Sequence, residues 1–84
     1  MNNLQERIAV VLLRWPWEPG REPHAWDIQG QLRRQGREVA LAPIVAALEA
    51  LAAQRAIRVS TKTAVGNLLI LEAFPARLEE LVPP

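Results

Sequence analysis

The sequence predicts a small α+β domain, mainly helical and completed by a two-stranded hairpin, and three observations lead there. Apolar residues recur at helical spacing in three successive segments, around Ile8, Ile28 and Leu48. The run AIRVSTK then alternates, with Ile57, Val59 and Thr61 on one face and Arg58, Ser60 and Lys62 on the other, and a second apolar run, LLILEA, follows a Gly66-Asn67 turn. The chain has 84 residues, half of them hydrophobic and 23% charged, which suits one folded domain over 1–84 with its core over about 4–73 and a C-terminal segment over 74–84.

The first helix is expected to start near Asn3, which with Glu6 three residues later forms a reciprocal capping pattern, and to bury Leu4, Ile8, Val11 and Leu12. It should stop at Trp15, because the residue before Pro16 is pushed out of the helical region. WPWEPGREPH, with three prolines and a glycine, reads as a loop. Pro23 suits the first position of a second helix that faces Ala25, Ile28 and Leu32 inward. Gly36 should close that helix as a left-handed cap, with Arg33 and Arg34 against the negative end of its dipole. Glu38 to Leu41 is expected to be a brief extended piece, and Pro43 to open the third helix. Thr63 to Asn67 reads as the hairpin loop, Leu68 to Ala73 as the returning strand, and Pro75 to Val82 as a short terminal helix.

Composition removes several classes of function. There is no cysteine, hence no disulfide, thiolate metal site or cysteine nucleophile. The longest apolar run, Ile8 to Leu13, falls far short of the roughly 20 residues of a membrane span. MNNLQE lacks the basic start of a cleavable signal, so a cytoplasmic protein is expected. His24 is the only histidine and Ser60 the only serine, tyrosine is absent, and no glycine-rich phosphate cradle occurs. His24 with Glu22 and Asp27 nearby is a weak metal pattern. The expectation is therefore no enzyme, no metal, no cofactor and no small-molecule substrate.

Beyond composition, the stretch DIQGQLRRQGREVALAPIVAALEALAAQRAIRV resembles the winged helix-turn-helix family. Ile28 and Leu32 sit four apart on the second helix, Gly36 and Val39 follow, Leu48 and Leu51 lie on the third, and Ile57 and Val59 enter the hairpin. The resemblance covers about Leu4 to Ala73 and implies three helices with the hairpin as the wing. Arg55 departs from it, standing where most relatives place a glycine after the third helix. In relatives that bind DNA, that third helix lies in the major groove and reads bases with polar side chains.

Here the third helix departs again. At roughly 100° per residue, Ile44, Ala47, Leu48 and Leu51 form a core arc. The opposite arc is centred on Ala42, Ala46, Glu49 and Ala53 and flanked by Pro43, Val45 and Ala50, none of which carries a side-chain hydrogen-bond donor. Small side chains at three and four spacing let another helix approach closely, to about 8 Å, so Ala42, Val45, Ala46, Glu49, Ala50 and Ala53 are candidate protein-interface residues. Alanine is also the best helix former, and the same face is compatible with plain solvent exposure. On the returning strand, Glu72 marks the solvent side and strict alternation puts Leu68 and Ile70 beside it, as second-tier interface residues unless the terminal segment covers them. Trp15, Trp17 and Trp26 either pin the proline loop as a small core or present Trp17 as a partner anchor.

The expected function is thus a non-enzymatic module acting by protein contact, through self-association as a homodimer or docking in a larger assembly. The alternative is a DNA-binding regulator that places Arg33, Arg34, Arg37, Arg58 and Lys62 on phosphates. A net charge of only +1 weighs against it, although residues 21–63 carry seven basic side chains (Arg21, Arg33, Arg34, Arg37, Arg55, Arg58 and Lys62) against four acidic ones (Glu22, Asp27, Glu38 and Glu49).

Overall fold

A computed structural model describes residues 3–83. Four helices and one antiparallel hairpin follow in the order α1 (Asn3–Arg14), α2 (Ala25–Arg34), α3 (Leu41–Ala53), β1 (Ile57–Val59), β2 (Ile70–Ala73) and α4 (Pro75–Leu81). α1 packs against α2, α3 and α4, and α3 packs against α2 and β1. Fully buried Ile8, Leu12, Ile28, Leu32, Leu48 and Leu51 form the centre of a single hydrophobic core.

α1 stops before Pro16, as the preference of a pre-proline residue for extended backbone requires. The Trp17 indole Nε1 then donates to the Leu12 carbonyl at 3.0 Å, satisfying an acceptor freed at the helix end.

The entry to α2 differs from expectation. Pro23 is buried and lies outside the helix, and its carbonyl accepts from the Ile70 N–H at 2.8 Å. His24 forms an isolated antiparallel bridge with Leu69 and then serves as the N-cap, its N–H donating to Asp27 Oδ2 at 2.7 Å. The brief extended pairing therefore precedes α2, whereas Glu38 to Ala40 pairs with no strand and Leu41 belongs to α3. A pairing of one residue leaves no periodicity in the sequence, and the free edge of β2 selects its location. Likewise Pro43 lies within the first turn of α3, which opens at Leu41 after Ala40 as N-cap.

The C-termini of α2 and α3 are built alike. Gly36 (φ 83°) closes α2, with Gly36 N–H on the Arg33 carbonyl and Arg37 N–H on the Leu32 carbonyl. Arg55 (φ 61°) closes α3 in the same pattern, through Arg55 to Ala52 and Ala56 to Leu51. Both are Schellman motifs. A side chain at positive φ is strained by contact between Cβ and the neighbouring carbonyl, which glycine avoids. Arg55→Gly is therefore expected to stabilise the domain by roughly 0.5–1 kcal/mol, read as a rise of about 4 °C in melting temperature. A drop would mean that the arginine side chain contributes more than its backbone strain costs.

β1 and β2 pair Ile57 with Ala73, Arg58 with Glu72 and Val59 with Ile70. The register shift between Arg58 and Val59 leaves Leu71 as an extra residue, a β-bulge. It corrects the exposed positions expected for Leu68 and Ile70: both are buried in the core. Strict alternation would put Ile70 on the side of exposed Glu72, but one inserted residue reverses the phase between them. Leu68 and Ile70 are therefore not interface residues. α4 adds fully buried Leu78, and its Arg77 Nε donates to the Gln54 carbonyl at the end of α3.

Candidate protein-contact surfaces

The outer face of α3 follows from its turn angle. With Ile44, Ala47, Leu48 and Leu51 in the core, Ala42, Pro43, Ala46, Glu49 and Ala53 are exposed and Ala50 is half-buried. Val45, also expected on this face, is only 3% exposed and belongs to the core. The buried arc is wide because α3 packs against α1, α2 and β1 at once, and the hairpin loop adjoins the same flank. Leu41, Ala42, Val45, Ala46 and Glu49 on α3, with Lys62, Val65 and Gly66 on the loop, line a groove of about 360 Å³. Val65, 71% exposed, stands at the loop tip. The α3 wall offers methyl groups and one carboxylate, and only Lys62 adds a side-chain donor.

That loop is held from within. The Thr63 N–H donates to the Asn67 carbonyl at 2.7 Å, and the Asn67 N–H to Thr63 Oγ1 at 3.1 Å. Asn67 is the one buried polar side chain among the described residues, and its Oδ1 accepts from the Trp26 N–H at 3.3 Å. The adjacent Ala25 N–H donates to the Leu68 carbonyl. Two amides that the first turn of a helix leaves without intrahelical partners are thus satisfied from the hairpin.

The five candidate phosphate ligands are all exposed but do not act alike. Arg33 pairs with Glu38 at 3.1 Å, and Arg58 with its cross-strand neighbour Glu72 at 3.4 Å. Arg34, Arg37 and Lys62 have no ion pair among the described residues. Only Lys62 lines the α3 groove.

No family model, curated protein or solved structure matches this chain.

The tryptophans divide as well. Trp15 and Trp17 pack against the core, so Trp17 is not the outward anchor, while Trp26 is 55% exposed. Sequence reasoning overlooked Trp26 as the exposed member, although a signal was present: two residues before inward Ile28, it lies about 200° around the helix. His24 Nδ1 lies 3.6 Å from Asp27 Oδ2, and among the described residues no three His, Asp or Glu side chains gather as a metal site. No described helix is long and apolar enough to cross a membrane.

Proposed function

We propose that this chain is a non-enzymatic winged-helix module that works by protein–protein contact, with the outer face of α3 and the adjoining wing groove as its contact surface. One observation carries the reading. The exposed face of α3 consists of Ala42, Pro43, Ala46, Glu49 and Ala53, with no donor to grip a base edge and a carboxylate that phosphates would repel. Three helices followed by an antiparallel hairpin support the family resemblance. Ala42, Ala46, Ala50 and Ala53 are small side chains at three and four spacing, the pattern that lets one helix lie close along another. The occupant is a protein surface, either a second copy of this chain or a subunit of a larger assembly.

Ala46→Arg tests this reading. Ala46 is exposed, so melting should change by less than about 0.5 kcal/mol in stability, whereas assembly, measured by light scattering and by pull-down of whatever co-purifies with the unaltered chain, should weaken at least tenfold. If assembly persists unchanged, the α3 face is not the interface. A second reading is favoured by Arg34, Arg37 and Lys62, which are exposed without ion pairs: a DNA-binding regulator held chiefly through phosphates. Gel shifts at low and moderate salt separate the two readings. Tight binding at moderate salt that weakens steeply as salt rises and varies little with sequence would replace the first by the second.

A further inference from the structure

Trp26 is the largest exposed apolar side chain among the described residues, and its setting suits a ligand. Its main chain is held at the start of α2 by the bond from the backbone N–H to Asn67 Oδ1. One turn along the same face Gly30 leaves bare backbone, with nothing within 4 Å of where a Cβ would stand. One turn further is Arg34, exposed and without an ion pair. Half-buried Trp15, from the end of α1, closes the side. Together with Asp27 and Gln31 these residues enclose a notch of about 230 Å³. A second hollow that shares Trp15 and Gln31 with the notch is lined by Arg14, also exposed and without an ion pair.

We propose that this notch docks an acidic segment of a partner protein. One apolar side chain of the segment sits over Gly30 between the indoles of Trp15 and Trp26, and a carboxylate two residues away pairs with Arg34. The charges argue for this occupant. Two cations without ion pairs, Arg34 in the notch and Arg14 on the adjoining hollow, stand against one carboxylate, Asp27, whose Oδ2 lies 3.6 Å from His24 Nδ1. The spacing agrees: Gly30 to Arg34 is a rise of roughly 6 Å along the helix, and two residues of an extended peptide span about 6.6 Å. An indole beside an open seat, on backbone fixed by a neighbouring element, is the form that binding hot spots take. A single-stranded nucleic acid fits less well, because only one indole offers an open stacking face and the chain's net charge is +1. The notch shares no lining residue with the α3 groove, so the two surfaces stand or fall separately.

The test is an NMR titration of the full ¹⁵N-labelled chain with three probes: a blocked decapeptide carrying one leucine among glutamates and serines, the same peptide with lysines for glutamates, and a thymidine decamer. The glutamate peptide should shift the Trp26 indole N–H and Gly30 amide signals and saturate below about 1 mM, while the lysine peptide leaves them in place. Gly30→Leu, which fills open space without disturbing the core, and Arg34→Glu should each weaken binding at least tenfold with the fold intact by circular dichroism. Absent shifts, equal response to the lysine peptide, tighter binding of the thymidine decamer, or affinity untouched by both substitutions would each overturn the proposal.

Discussion

Ile70→Ala is expected to destabilise the domain by about 2–5 kcal/mol, the range for removing a buried isoleucine side chain and leaving a partly collapsed cavity. Ile70 is fully buried, pairs with Val59 on β1, and through its N–H reaches the Pro23 carbonyl, so it lies where the hairpin meets the entry to α2. A domain of 84 residues has little stability to spare. At 4–8 °C per kcal/mol, melting should fall by roughly 10 °C or more. Urea unfolding of the two proteins measures the difference directly. Were Ile70 on the solvent side, as strict alternation with Glu72 requires, the same change would stay within about 0.5 kcal/mol. A loss that small would disprove the bulge at Leu71.

Asn67→Ala should cost about 1–3 kcal/mol. The side chain is only 6% exposed, and removing its carbonyl leaves the Trp26 N–H without an acceptor in the first turn of α2. Replacing a capping residue by alanine costs a similar amount, about 0.5–2 kcal/mol. The chemistry supplies its own control. Asn67→Asp keeps an acceptor oxygen and places negative charge at the positive end of α2, so it should retain most of the stability. Equal losses in the two variants, measured by thermal unfolding, would show that the amide NH₂ rather than the oxygen matters. Because the loop bonds at position 67 use main-chain atoms that alanine keeps, hydrogen exchange in Asn67→Ala should quicken at Trp26 more than at Gly66.

Both predictions concern features that the amino-acid pattern disguised. Ile70 appeared exposed because alternation was carried across Leu71, and only pairing with β1 shows where the phase breaks. Val45 appeared exposed because a 100° step places it on the flank of the outer arc, whereas α3 is covered by α1, α2 and β1 together. The α2 cap inside the hairpin joins residues 41 positions apart, beyond the reach of any local motif.

What the sequence determined unaided is what nearest neighbours decide. Helical periodicity placed α1, α2 and α3, the pre-proline restriction ended α1, and glycine's access to positive φ capped α2. The donor-free character of the outer face of α3 was also legible, since a 100° step turns composition into a surface. Tertiary structure alone decided the bridge at His24, the bulge at Leu71, the burial of Val45, Leu68 and Ile70, and the choice of Trp26 as the exposed indole. Each of these depends on which distant backbone group or side chain is available to complete a hydrogen bond or cover apolar area. Folding sets that availability by bringing the hairpin against α2 and α3, and no local spacing encodes it.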